Sequence, residues 1–384
     1  MRAVIVVGNY VNVVDGVALT YQRLVRARVQ AGDQVMVVAP GGPALPGPSA
    51  ATFAPVPSIP VPVQPEYRLA LGIPRATRRA LEQFEPDLIH VGSPDLAGEA
   101  ALDFAAAHGI PAVGSYHSEI ARYLRFMPVP GVGVLGPLLE RGVWAWIRRF
   151  YNRCRHVYAP TESMLATLRA RGIESELRVW GRGVDPRAFD PARRDISWRR
   201  RLGVPDHVPL ILFVARLRWE KGLADLAAVL AGLARTPWPH HSAIAGAGPA
   251  REALARRCPD THFLGELHHR ELARAYASAD LFLYPSTTET FGNVTLEAMA
   301  SGVPTVCADA TGSTELVVPG ETGELFAAGD VRAAVEVVGA LLRDPDRRHA
   351  MGRAARARAQ RFSWARSLAQ LDAHWNDARR HLAP

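Results

Sequence analysis

Two glutamates eight positions apart, Glu289 and Glu297, stand in the stretch YPSTTETFGNVTLEAMASGVP that runs from Tyr284 to Pro304. Leu281, Phe282 and Leu283 form a short apolar run that reads as a buried strand, and a Ser/Thr-rich turn follows. Beyond Phe291-Gly292 the spacing of Val294, Ala298 and Met299 predicts a helix, which Gly302-Val303-Pro304 stops. A strand-turn-helix unit of this kind offers backbone N–H groups, here around Phe291, Gly292 and Asn293, to an anion at the strand's carboxyl end. Glu289, in the turn, can reach whatever lies above the helix start. Glu297, about one and a half helical turns in, can accept two hydroxyl hydrogen bonds from a vicinal diol such as a ribose. Taken singly, each has a plainer reading: Glu297 as a solvated helix residue, Glu289 as a partner of the helix dipole.

A second candidate cluster is Arg216-Leu217-Arg218-Trp219-Glu220-Lys221-Gly222, which follows the apolar run Leu210 to Ala215. Arg216 at a strand end and Lys221 at a helix start can converge on one anion. The guanidinium supplies a planar fork for phosphate oxygens and the ammonium a mobile point charge; ordinary surface charge is the competing reading. His117 closes the strand Pro111 to Tyr116, where it could hydrogen-bond a sugar oxygen or merely cap the next helix. Gly16, in Asp15-Gly16-Val17, lets the backbone approach a ligand at a helix start, or simply makes a turn.

The elements that must hold these residues alternate. Strands are predicted at Arg2–Gly8, Gln34–Ala39, Asp87–Gly92, Pro111–Tyr116 and His156–Thr161, with helices at Val17–Ala31, Asp95–His108 and Glu162–Arg171. Pro40 to Pro65 reads mostly as loop with an edge strand at most, and Glu66 to Phe84 as one or two helices broken near Pro74. Further segments fall at Arg122–Phe126 and Val134–Arg155, and a last strand with its exit turn at Arg178–Asp185. A second strand-helix series starts at Leu210 and includes Ser242–Gly248, whose Gly246-x-Gly248 is a weak motif by itself, and His262–Gly265. Such alternation argues for α/β architecture with doubly wound parallel sheets.

The run Glu289 to Glu297 with Ala298–Pro304 resembles the Glu-x7-Glu motif of the retaining glycosyltransferases of family 4, and Arg216 to Gly222 resembles that family's Arg-Leu-x-x-Glu-Lys-Gly pattern. The resemblance implies a GT-B fold, two Rossmann-like domains facing each other across a cleft. It divides the chain into an acceptor-binding domain 1–185, a linker 186–194, a nucleotide-sugar-binding domain 195–363, and a helix 364–384 returning to the first domain. It implies transfer of a hexose from a nucleoside-diphosphate sugar with retention. Arg216 and Lys221 would stabilise the departing diphosphate, and His117 and Glu289 would orient the sugar. Glu297 would hold the ribose, Leu267 would lie at the nucleobase, and Gly16 would approach the diphosphate. No cofactor or metal is expected beyond the donor. PEYRLALG and YHSEIARYLRF resemble a subgroup that adds mannose or another hexose to lipids, so GDP-mannose and a glycolipid are the expected substrates. An epimerase or phosphorylase on the same fold, or a basic nucleic-acid-binding protein, would be the alternatives.

At 384 residues, two domains are the better expectation. Three scattered cysteines argue against a disulfide framework or a zinc site and fit a reducing cytoplasm. The pairs His240-His241 and His268-His269 lack partner ligands. MRAVIVVGNYVNVVDG reads as a first strand and loop rather than a signal peptide, and no apolar run reaches spanning length. The net charge of +8 asks for an anionic partner or an arginine-rich composition. Arg141, Arg148, Arg149, Arg153 and Arg155 beside Trp144 and Trp146 suit either an anionic lipid surface, hence a peripheral protein on the inner membrane face, or a core helix with a basic outer side. The arginines of Arg347 to Arg361 read as a solvated face, not a nucleic-acid site.

Overall fold

The computed structural model describes residues 1–11, 15–41, 51–61, 64–119 and 132–380. The expected segment Arg122–Phe126 and part of Pro40–Pro65 lie outside them. The chain divides into two compact units, Met1–Gly181 with Ala365–Pro384, and Arg182–Trp364.

The strands of the first unit are β1 (Arg2–Val6), β2 (Gln34–Pro40), β3 (Ala51–Val56), β4 (Ser58–Val61), β5 (Gln64–Ala70), β6 (Leu88–Val91), β7 (Ala112–Ser115), β8 (His156–Ala159) and β9 (Glu176–Val179). Seven of them form one sheet in the order β3-β2-β1-β6-β7-β8-β9, every pair parallel. The central strands β6, β7 and β8 are buried along their whole length, as sheets covered on both faces require. The chain winds outward from β1 to β3, then crosses to β6, so the switch of direction falls between β1 and β6. Helix Trp364–Arg380 belongs to this unit and buries Leu371, Trp375 and Ala378 among β1 and β2 residues. Its Asp377 meets Arg178 of β9 and lies 3.8 Å from His156 of β8.

The stretch from Glu66 corrects the sequence reading. Only Arg75–Phe84 is helical; Gln64–Ala70 is a strand paired antiparallel with Ser58–Val61. Cross-strand partners decide such a short run, and Ala70 turns inward at 0% exposure while Leu69 faces out.

In the second unit β10 (Leu210–Val214), β11 (His241–Ala245), β12 (Thr261–Gly265), β13 (Leu281–Tyr284), β14 (Thr305–Asp309) and β15 (Gly323–Ala327) form a parallel sheet in the order β12-β11-β10-β13-β14-β15. Its switch point lies between β10 and β13. The arginines of helix Pro345–Ala359 form a solvated face only in part: Arg347 and Arg353 are exposed, and others turn inward. Arg348, 8% exposed, donates to the Leu341 and Leu342 carbonyls, and Arg358 donates to those of Glu315 and Leu316. Arg356 donates to the carbonyls of Phe189, Ala300 and Pro186 and pairs with Asp190 at 2.6 Å, which folds the expected linker into this unit. Helix carbonyls and loop turns need donors, and a guanidinium supplies five.

Candidate functional site

The two loops that leave β10 and β13 emerge side by side at the switch point of the second sheet, where such sheets take up ligands. Backbone contact locks them. Gly222 has φ 73°, and a Cβ there would lie 2.4 Å from the Pro285 carbonyl oxygen. Thr288 Oγ1 donates to the Glu220 carbonyl at 3.0 Å. The Gly246-Ala247-Gly248 turn braces the backbone on either side of Arg216. A Cβ on Gly246 would fall 1.8 Å from the Ala215 oxygen, and Leu217 N–H donates to the Ala247 carbonyl at 2.8 Å.

This closure sets Lys221 Nζ 2.7 Å from Glu289 Oε1, each side chain 15% exposed and so within reach of a ligand. Lys221 is the only lysine among the 45 basic residues of the chain. A compact ammonium can sit on a single carboxylate oxygen, where a guanidinium fork would engage both. The same Oε1 accepts from the Tyr284 hydroxyl at 2.8 Å and Ser286 Oγ at 3.2 Å. Burial alone would push the Glu289 carboxyl up; the Lys221 charge and these hydrogen bonds overcome it and hold the group below the usual carboxylate range. Glu289 is therefore an anion at neutral pH.

The remaining candidates of this unit divide by what they can offer. Phe291 is buried and packs edge-on against Phe362, so only its backbone faces a ligand. Gly292 caps helix Asn293–Ala300, which has neither a side-chain cap nor an acidic residue in its first turn. Its first N–H groups are left for an anion. Asn293 Oδ1 is buried and makes no hydrogen bond among the described residues. Arg216, half-buried, follows β10 directly. Glu297, half-buried in the second turn, lies against Tyr276, whose hydroxyl is pushed far up by burial first and by the Glu297 carboxylate second. Leu267 lies beyond the edge strand β12 and packs partly on the core of this unit.

His117 and Gly16 belong to the first unit, His117 just past the carboxyl end of β7 and Gly16 at the start of the helix that follows β1. His117, 7% exposed, holds its Nε2 2.9 Å from the Tyr21 hydroxyl, which also lies 3.5 Å from His90 Nε2. His90 Nε2 contacts Ser115 Oγ at 2.6 Å, and the Trp180 ring packs against Tyr21, His90 and His117. Gly16 opens helix Gly16–Gln30 behind the cap Asp15, whose Oδ1 accepts from Val17 and Ala18 N–H while Oδ2 accepts from the Tyr67 hydroxyl.

Sequence reasoning missed the hydroxyl groups that hold the charged ones. Tyr284, Ser286 and Thr288 are all buried and stand at alternate positions. That period of two at a strand exit was a readable signal. For Tyr21 and His90, distant in sequence from His117, no local pattern existed.

A cation and an anion beside an uncapped helix start at the switch point of a parallel sheet make a site suited to an anionic ligand, and comparison with known proteins gives the class: the protein is a glycosyltransferase. Residues 195–358 match the model of Glycosyl transferases group 1 and residues 14–188 that of Glycosyltransferase Family 4, and the chain belongs to glycosyltransferase family 4. It is 37% identical over 330 residues to a GDP-mannose-dependent alpha-mannosyltransferase of Mycolicibacterium smegmatis, covering 85% of this chain and 84% of the relative. A protein of the same name from Mycobacterium tuberculosis is 32% identical over 386 residues, 99% of this chain and 97% of the relative. Among solved structures, the sucrose-phosphate synthase of Thermosynechococcus elongatus superposes with a TM-score of 0.80 at 20% identity, covering 98% and 99% of the two chains, and supports the GT-B fold.

Proposed function

We propose that this protein transfers mannose from GDP-mannose, with retention, to a hydroxyl of a lipid-linked acceptor. The observation that carries the donor is the match, across nearly the whole chain, to relatives named for that donor. In this reading Arg216, Lys221 and the first amides of helix Asn293–Ala300 neutralise the diphosphate as it departs, so turnover needs no divalent ion. Glu289 and His117 orient the mannose through its hydroxyls, Glu297 accepts from the ribose diol, Leu267 borders the base, and Gly16 lets the backbone approach the diphosphate. The departing phosphate takes the acceptor's proton, which leaves Glu289 an orienting group.

The acceptor reading draws on helix Val132–Tyr151. Ile147, Phe150 and Tyr151 anchor its end in the core, while Leu138 (65% exposed) and Leu139 (42%) face solvent with Arg141, Arg148 and Arg149. Exposed leucines among arginines suit an anionic lipid surface. No helix among the described residues is long and apolar enough to cross a membrane; attachment in this reading is peripheral, on the cytoplasmic face.

The test is a thermal-shift screen with GDP-mannose, UDP-glucose and ADP-glucose, then GDP release with and without a glycosylated diacylglycerol, in chelator. A donor at 100 times its Kd stabilises by about 2.7 kcal/mol. Stabilisation by UDP- or ADP-sugars but not by GDP-mannose would refute the donor. GDP-mannose consumed equally without acceptor would refute the transfer.

A further inference from the structure

The geometry points to an asymmetric use of the Glu289 carboxylate: we propose that Tyr284 and Ser286 are positioning residues that commit Oε1 to the protein and reserve Oε2 for hydroxyls of the transferred sugar. The inference rests on the nucleotide-sugar reading and adds to it two residues and one oxygen.

Three donors converge on Oε1: Lys221 Nζ at 2.7 Å, the Tyr284 hydroxyl at 2.8 Å and Ser286 Oγ at 3.2 Å. A carboxylate offers about four lone-pair sites on its two oxygens, so three donors on one of them exhaust that side. Oε2 accepts no hydrogen bond among the described residues, although the side chain is partly exposed. The donors are themselves fixed. The Tyr284 ring stacks between Phe213 and Phe282, each centroid 5.6 Å away, and Ser286 is fully buried. They arrive from the strand itself and from the adjacent loop, so the carboxylate plane has no freedom to turn. A sugar hydroxyl approaching Oε2 meets an anion already oriented, and the charge-assisted bond forms without an ordering cost.

An interaction with the sugar alone separates from one with the nucleotide. Tyr284→Phe keeps the aromatic stack and deletes the hydroxyl; Ser286→Ala removes the longer bond and is the second variant should Tyr284→Phe fail to fold. The kinetics of GDP-mannose turnover, its pH profile and the dissociation constant of free GDP are measured for each. Tyr284→Phe is expected to lower kcat/KM about tenfold, or ~1.4 kcal/mol, and Ser286→Ala about threefold. Free GDP, which lacks the transferred mannose, should bind both within about twofold of wild type. The acid limb of kcat/KM should move to higher pH in Tyr284→Phe, because the hydroxyl no longer favours the ionised carboxyl. Lys221 remains its ion-pair partner, and the nearby Cys307 thiol, pushed up to about 12 by burial, stays protonated. Unchanged kcat/KM and acid limb in both variants would overturn the proposal. So would an equal loss of GDP and GDP-mannose binding, which marks a merely structural role. A wild-type protein that turns over no nucleotide sugar would instead remove the reading beneath it.

Discussion

Gly222→Ala tests whether the contact between the two loops is what builds the donor site. An added Cβ would lie 2.4 Å from the Pro285 oxygen, 2.7 Å from its carbon and 3.0 Å from Ser286 N, all backbone atoms. Ordinary contact begins near 3.4 Å, so the loops must part by about 1 Å. That displacement takes Lys221 Nζ off Glu289 Oε1, now at 2.7 Å. The left-handed φ of 73° costs an alanine about 1 kcal/mol, and the displaced packing adds about 1–3 kcal/mol. For a unit of this size the sum lowers Tm by roughly 5–15 °C. A misplacement of about 1 Å at a reacting centre costs on the order of 100-fold in rate. The control is Gly203→Ala, where φ is 75° but nothing lies within 4 Å. It carries the backbone cost alone, about 1 kcal/mol, with wild-type kcat. Thermal denaturation and initial rates with saturating donor read both quantities. If the two variants matched in Tm and in rate, close approach at Gly222 would not be what assembles the site.

Three further outcomes follow from the same geometry. Lys221→Arg should lose at least about tenfold in kcat/KM, because a fork cannot reproduce the single-oxygen contact; wild-type rates would show that any cation serves. Glu297→Ala should weaken GDP binding about tenfold by isothermal titration, and unchanged affinity would remove it from the ribose. His156, buried beneath the C-terminal helix, is lowered to about 4, by burial first and then by Arg178, although Glu176 and Asp377 pull the other way. Its unfolded value is near 6.5. The unfolded chain therefore takes up a proton that the folded one refuses as pH falls from 6.5 towards 4. The stability present above that range, up to ~3 kcal/mol, is lost on acidification. A Tm that stays level between pH 7.5 and 5, or a fall undiminished in His156→Gln, would refute this.

The positions of the charged candidates relative to strands and helices were legible in the chain pattern, whereas their choice over plainer readings came from the resemblance to family 4. Arg216 and Lys221 bracket the exit of an apolar run, and Glu289 and Glu297 bracket a helix start. The parallel strands were legible because burial on both faces leaves continuous apolar runs such as Leu210–Val214. Two things were not. The hairpin of β4 and β5 depends on a partner strand, so Gln64–Ala70 carries no local mark that separates strand from helix. The glycines that press one loop on another are also silent in sequence, since nothing local to Gly222 shows that Pro285 lies against it.

Arginine shows how far composition falls short of location. Arg348, Arg356 and Arg358 on one helix turn inward and donate mainly to backbone carbonyls, and Arg199, fully buried, donates to the Ser278 and Val208 carbonyls beside its bond to Asp280. An arginine whose partners are carbonyls adds a positive charge that no acidic residue has to balance. Part of the +8 net charge is therefore a by-product of satisfying helix ends and loops, and says nothing of a polyanionic partner. What bears on a partner is the subset left in solvent beside apolar side chains. On helix Val132–Tyr151 the arginines at 141, 148 and 149 share the exposed surface with Leu138 and Leu139, and a core-only helix has no use for leucines there. Position against neighbours, not abundance, separates the two roles.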